Sequence, residues 1–260
     1  MIKPIPGYEG LYSVTDSGEI ISDHTGKSMT TFDRKAVMVS TTLIHGDCFD
    51  ELGSVPDGSV NLVLTDPPYS SPVKNAFGRE TVKRLSDLSL QEAYFRKLKA
   101  EFERVLADGG GVAIFCDEAY YAVLYGIFYD WRNESMVVWD KGRLGMGRPV
   151  RRCHELVFVA SPGKTTRSTD RYSHIPSVVR CAPVKRHHPA EKPVGLLDRI
   201  VSCLSEPGGT VLDPFMGSGS TGVAAVGAGR SFIGIELDAD YYEAAEKRVS
   251  DALAERERGE

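Results

Sequence analysis

Apolar and polar positions change rhythm near residue 40 of the chain. Before that point, short β-prone runs, Leu11–Val14 and Glu19–Ser22, are broken by Gly7, Gly10, Gly18 and Gly26, and Asp16-Ser17-Gly18 is a turn signal between two runs. The pattern predicts a small β-hairpin module over residues 1–40. From Thr42 onward, apolar runs of strand length alternate with segments of helical spacing. Thr42–His45 predicts a short strand, and Ser59–Thr65 a buried one that stops at Asp66-Pro67-Pro68. Leu90, Ala93, Tyr94, Leu98, Phe102 and Val105 recur at helical spacing, which predicts a helix from an Ser89 N-cap to about Ala107, ended by Asp108–Gly111. Strands are predicted at Val112–Cys116, Ser135–Trp139 and Glu155–Ala160, with a helix near 118–126. Pro162, Gly163, Pro176, Pro183 and Pro189 mark residues 161–190 as a loop-rich insertion. A helix at about 193–205, a strand at Thr210–Leu212, a helix at about 220–228 and a strand at Ser231–Ile235 follow. The last helix begins near Asp240 and fades into the charged tail Glu255–Glu260.

Strands alternating with helices predict an α/β fold over residues 41–260: a mostly parallel sheet with helices on both faces, plus the small β-rich N-terminal appendage. Such sheets bind ligands at the carboxyl ends of their strands. Three segments stand at predicted strand ends: 66–69, 213–221 and 236. In the second, Gly217 and Gly219 allow a tight turn and close approach of a ligand to backbone, and the following helix start offers amides. Glu236 ends the next strand about twenty residues after Gly217, where an acid can accept both hydroxyls of a ribose. Together these point to an adenosine-type ligand. The spacing is not G-x-G-x-x-G, and no G-K-[ST] loop occurs, which weakens the case for a nicotinamide enzyme or an NTPase.

Asp66-Pro67-Pro68-Tyr69 supplies the other half of a site. Two prolines fix the backbone and remove two N–H donors. The Asp66 carboxylate and the Pro67 carbonyl then match the two N–H bonds of a base amine. Accepting those bonds favours a pyramidal nitrogen with an available lone pair. Tyr69 offers a flat face to an extruded base.

Composition adds little until charge is mapped along the chain. Apolar residues make up 42% and charged residues 26%, as in ordinary globular proteins. No run reaches membrane-span length, and Met1–Gly10 lacks the apolar core of a signal peptide, so a cytoplasmic location and no membrane partner are expected. Cysteines 48, 116, 153, 181 and 203 lack zinc-ligand spacing, and no metal is expected. Residues 141–192 carry twelve Lys/Arg against three Asp/Glu, so this stretch is +9 and the remainder, within a total of −5, is −14. A basic face on an acidic body suits DNA, with Lys141, Arg143, Arg148, Arg151, Arg152, Arg167, Arg171, Lys185 and Arg186 as its candidates; a solvated loop is the plainer reading of the same charges.

In order and spacing, His45-Gly46-Asp47, Thr65–Tyr69, His188–Pro193, Asp213–Thr221 and Ile235-Glu236 resemble the DNA amino-methyltransferases of the β order, over about residues 42–250. The resemblance implies a Rossmann-like methyltransferase fold, S-adenosylmethionine as cofactor, double-stranded DNA as partner, and catalysis by Asp66, Pro67, Pro68 and Tyr69. It also implies that Asp213, Phe215, Gly217, Ser218 and Gly219 line the cofactor. Glu236 and Leu237 would meet the ribose end, Asp47 and Cys48 the adenine, and Lys192 the methionine carboxylate; Asp66 would lie beside the reacting end. The target-recognition position falls at about 161–187. Asp at the head of the tetrapeptide resembles the adenine-N6 enzymes, and the cytosine-N4 enzymes more often carry Ser. An RNA or protein amide methyltransferase and a non-catalytic DNA-binding module are weaker alternatives. The stretch Ile5–Val14 resembles a small module that accompanies homing-type nucleases, often phage-borne, which fits a bacterial or phage-infected cell. A homodimer and a cognate restriction nuclease are compatible with the resemblance.

Overall fold

The computed structural model describes residues 2–4, 12–15, 20–22, 28–29, 38–68, 88–145, 149–163, 174–184 and 191–258. Two compact units, Met1–Ala36 and Val37–Glu260, divide the chain. In the first, β1 (Ile2–Pro4), β2 (Tyr12–Thr15), β3 (Ile20–Ser22) and β4 (Ser28–Met29) form an antiparallel sheet in sequence order. The expected hairpin is the β2–β3 pair, with Tyr12 opposite Ser22 and Val14 opposite Ile20. Its turn lies outside the described residues.

The second unit is built on β5 (Thr41–His45), β6 (Val60–Thr65), β7 (Leu106–Cys116), β8 (Arg132–Asp140), β9 (His154–Ser161), β10 (Val178–Arg180), β11 (Thr210–Asp213) and β12 (Ser231–Glu236). They lie in the order β10-β8-β9-β7-β6-β11-β12-β5. Neighbours pair parallel except at β9, which runs against β7 and β8. The carboxyl ends of the parallel strands therefore share one edge, joined by the amino end of β9. The chain moves one way from β6 to β7 and the other way from β11 to β12. The switch point thus falls between β6 and β11, the position at which open α/β sheets bind their ligands.

Period-two alternation on the inner strands divides the core into two layers. Val63, Ile114 and Phe158 face one side, packed with Phe95, Leu98 and Phe102 of α2 (Leu88–Val105) and Leu124 and Ile127 of α3 (Glu118–Ile127). Leu62, Leu64, Phe115 and Val157 face the other, against Leu196 and Ile200 of α4 (Val194–Leu204), Ala225 of α5 (Ser220–Gly227) and Val249 of α6 (Ala239–Arg258). Coverage on both sides is why these strands read as continuous apolar runs. Each fully buried Leu, Val or Phe contributes about 1.5–3 kcal/mol.

Three expected boundaries differ. The helix α2 begins at Leu88, so Ser89 lies inside it and is not its cap. It does not end at a glycine terminator: β7 starts at Leu106 and runs through Asp108–Gly111. A Cβ at Gly111 would stand 2.9 Å from the Ala160 carbonyl, and one at Gly110 2.9 Å from that of Ala107, so these glycines let neighbouring backbone approach β7 closely. The register between β6 and β7 shifts at this place. Within the insertion predicted as loop, Val178–Arg180 forms the edge strand β10, paired with Val138–Asp140.

Candidate active site

The strands flanking the switch point end in acids. Beyond Thr65 at the end of β6 come Asp66, Pro67 and Pro68, and β11 ends at Asp213. The Thr65 hydroxyl donates to Asp213 Oδ1 at 2.7 Å, and the Phe215 amide donates to the same oxygen at 3.1 Å. Burial pushes the Asp213 carboxyl up to about 6; hydrogen bonds from Thr221, Thr65 and Phe215 oppose that rise, and the charge of Asp66 adds to it. Next along, Glu236 ends β12, and its two oxygens accept from the amides of Gly217 and Asp238, each at 2.8 Å. Burial is also the main cause of the raised Glu236 pKa. Between β11 and α5 the backbone turns through Gly217 (φ 52°) and Gly219 (φ 80°), both left-handed. At the end of β5, Asp47 Oδ1 accepts from the Phe49 amide at 2.8 Å, and the Gly46 amide reaches the Glu236 carbonyl at 3.0 Å. Cys48 is buried, which pushes its thiol to about 12 and removes it from nucleophilic chemistry. Phe49, Tyr94 and Phe215 follow one another at ring separations of 5.1 and 6.3 Å.

On the other side of the switch point lies a chain of alternating charge. Lys192 Nζ donates to Asp66 Oδ2 and stands 3.3 Å from Glu155 Oε2. Lys141 Nζ is 2.5 Å from Glu155 Oε1. Burial alone would push the Glu155 carboxyl up, but Lys192 and Lys141 outweigh it and hold the group below its ordinary value. Burial would likewise lower the Lys192 pKa, and Asp66 and Glu155 reverse that.

The family model for N6/N4 DNA methylases matches residues 60–247, a span that includes both ends of the switch point. The chain belongs to this DNA methylase family. A second model, the NUMOD4 motif, matches residues 3–38, so both resemblances read from the sequence are met. The methylase is 31% identical over 264 residues to the DNA adenine methyltransferase YhdJ of Escherichia coli (strain K12), covering 86% of each chain. It shares its fold with the M1.HpyAVI–SAM complex (TM-score 0.62, 23% identity, 80% of this chain and 98% of that one). It also shares it with the cytosine-N4-specific PvuII DNA methyltransferase (TM-score 0.66, 19% identity, 86% and 95%). The expected Rossmann-like methyltransferase fold is therefore the observed one.

Within the methylase, the strand ends bring Asp47, Cys48, Asp66, Pro67, Pro68, Asp213, Phe215, Gly217, Ser218, Gly219, Glu236 and Leu237 to one edge of the sheet. Leu237 is 61% exposed, and its carbonyl lies 3.2 Å from His45 Nε2. Lys192, expected at the methionine carboxylate, has its ammonium ion-paired with Asp66 and 3.3 Å from Glu155. Of the basic candidates, Lys141 is engaged by Glu155, and Arg152 by Asp117 and Glu118 at 3.6 and 3.1 Å. Arg143 and Arg151 are exposed in the β8–β9 connection, where Arg151 Nε donates to the Gly145 carbonyl at 2.9 Å. Tyr69, Arg148, Arg167, Arg171, Lys185 and Arg186 lie outside the described residues. Thr65, Glu155, Glu191 and Arg248 were given no role from the sequence. Thr65 and Glu191 stood inside quoted motifs, Glu155 stood at the head of an apolar strand run, and Arg248 left no trace. Among the described residues no helix is long and apolar enough to cross a membrane, and no group of His, Cys, Asp or Glu is arranged to hold a metal ion.

Proposed function

We propose that this methylase transfers a methyl group from S-adenosylmethionine to the N6 amine of an adenine flipped out of double-stranded DNA. The observation that carries the reading is the placement of Asp66 and the buried Asp213 on adjacent strand ends across the switch point. An amine acceptor and a partner for a cation are thereby set side by side. The adenine relative YhdJ and the Asp at the head of the tetrapeptide support N6 over cytosine N4.

The edge suits this cofactor. Asp213 is a buried carboxyl that gains from a cationic neighbour, and the cofactor carries both a sulfonium and an ammonium. Glu236 retains lone pairs for ribose hydroxyls beside its two backbone bonds. Apart from its chain neighbours, no atom of the described residues lies within 4 Å of a Cβ built on Gly217, so the turn presents open backbone. Phe215, Ser218, Gly219 and Leu237 complete the lining, with Asp47 and Cys48 towards the adenine. S-adenosylmethionine supplies the electrophilic methyl group. Asp66 and the Pro67 carbonyl accept the two amine N–H bonds and orient the nitrogen lone pair, and Tyr69, next but two to Asp66 in the chain, stacks on the base. Stacking of roughly 1–3 kcal/mol per base offsets a flipping penalty of a few kcal/mol.

Digestion of DNA modified by the enzyme to nucleosides, followed by mass and retention analysis, is expected to yield N6-methyladenine. N4-methylcytosine would move the assignment to the other amine, and absence of both from DNA treated with folded, cofactor-bound protein would overturn it.

Two further outcomes follow from the geometry. Asp213 is protonated below about pH 6 in the free enzyme, and a cationic ligand requires its ionised form. Cofactor affinity is therefore expected to be flat above that pH and to fall by up to about tenfold per pH unit below it. Titration calorimetry across this range checks it, with Asp213→Asn expected to flatten the profile. For DNA, replacing Arg143 and Arg151 together with Ala is expected to lower affinity and reduce the salt slope by about 2, if each arginine neutralises one phosphate. An unchanged slope would move the DNA face away from the β8–β9 connection.

A further inference from the structure

Lys192 reaches Asp66 from the segment that leads into α4, 126 residues away in the chain. Its side chain is 8% exposed, it is ion-paired to Asp66, and its ammonium lies 5.0 Å from the centroid of the Phe115 ring. Local sequence fixes its course. Pro193 follows and confines Lys192 to extended backbone. Glu191 precedes it with a buried side chain, and its Oε1 accepts from Arg248 of α6 at 2.9 Å. Another nitrogen of the same guanidinium donates to the Ser218 carbonyl at 2.7 Å and stands 3.0 Å from the Ser218 hydroxyl. The segment Glu191–Pro193 is thus a strut, fastened on one side to the glycine turn and on the other to Asp66.

We propose that Lys192 is the positioning residue for Asp66: its ion pair holds the carboxylate in one orientation and in its acceptor form, and Arg248–Glu191 ties that hold to the glycine turn. The inference rests on reading Asp66 as the amine acceptor. An unrestrained aspartate beside two prolines could rotate about its side-chain bonds, and a carboxylate that rotates or takes up a proton no longer offers a fixed acceptor. The fields at Asp66 are opposed. Asp213 and Glu155 are anions near it, Cys116 is a buried neutral thiol, and Lys192 is a cation in contact with it. Lys192 is shared between Asp66 and Glu155, and Lys141 gives Glu155 a second cation of its own. The pair interaction that raises the Lys192 pKa favours the ionised Asp66 reciprocally.

The test is a double-mutant cycle on the full-length protein with duplex DNA, read as single-turnover methyl transfer at saturating cofactor over a range of pH. Lys192→Met keeps the unbranched stem, one atom shorter, and removes the charge. It is expected to lower the transfer rate about a hundredfold, as misplacement of a reacting group does. It should also move the acid limb of the rate upward by about one pH unit or more; saturating cofactor keeps any change in cofactor affinity out of this rate. In an Asp66→Asn background the same substitution is expected to have little further effect, because the group it serves is gone. Lys192→Arg retains the cation and should keep the acid limb at its wild-type position. A wild-type rate and acid limb in Lys192→Met would overturn the proposal. So would an equal loss in the Asp66→Asn background, an acid limb displaced in Lys192→Arg, or a defect confined to cofactor affinity. Wild-type turnover in Asp66→Asn alone would instead sink the reading of Asp66 itself, which keeps the two failures apart.

Discussion

Replacing Asp66 with alanine is expected to abolish methyl transfer while leaving S-adenosylmethionine binding measurable. The residue directly follows β6 at the switch point, near Asp213 and in contact with Lys192. Its removal takes away the acceptor for one amine N–H and leaves the Pro67 carbonyl alone. Loss of one preorganised hydrogen-bonding group at a reacting centre costs about 10²–10³-fold in rate. In the proposed role the lost group would also orient the nucleophile, so the fall should reach at least the upper end of that range. Stability should suffer less than the removal of half of a buried ion pair usually implies, about 3–5 kcal/mol. Glu155 remains 3.3 Å from Lys192, so the ammonium keeps an anion, and the Asp66 side chain is partly exposed. A melting temperature near wild type, measurable cofactor binding and no detectable methylated nucleoside form the expected set. Unchanged turnover would remove Asp66 from the chemistry.

The strand-end acids were legible because each follows an apolar run whose length marks a buried strand, and the sheet topology then gathers such ends without further instruction. Asp66, Asp213 and Glu236 needed only that rule. The contact between Lys192 and Asp66 needed more: it depends on where the segment before α4 crosses the edge of β6, which local pattern does not encode. Charge was readable by position but not by partner. Lys141 and Arg152 contributed to the basic count of their stretch, yet the fold sets them against Glu155, Asp117 and Glu118. Gly109–Gly111 looked like a helix terminator because glycine serves that purpose in isolation. Their place inside β7 follows from the approach of the Ala160 carbonyl on β9, a neighbour about fifty residues away. The strand β10 is three residues long at a sheet edge, too short to show a period amid prolines.

The glycine turn was legible as a turn, but the sequence could not say that its two glycines answer different demands. Gly219 has φ of 80°, and a Cβ there would stand 2.9 Å from both Cα and Cβ of Ala245 on α6, a buried residue. Valine at 219 must therefore take up a left-handed conformation, unfavourable by roughly 1–2 kcal/mol, and also push α6 away from α5, overpacking worth about 1–3 kcal/mol. Gly217 has φ of 52° but no atom of the described residues near its Cβ position, so alanine there meets the conformational penalty alone. The two substitutions should accordingly separate. Gly219→Val is expected to lose about 3 kcal/mol of stability and to weaken cofactor binding about a hundredfold, at 1.4 kcal/mol per tenfold, because the amides of the turn move with the start of α5. Gly217→Ala should leave the melting temperature within a few degrees while still lowering cofactor affinity, since its methyl group would occupy the open backbone face assigned to the ligand. Thermal melts and cofactor titrations of the two variants decide the matter. If Gly217→Ala binds S-adenosylmethionine as wild type does, the ligand does not lie over that face, and the site must be redrawn along the β12 side of the edge, around Glu236.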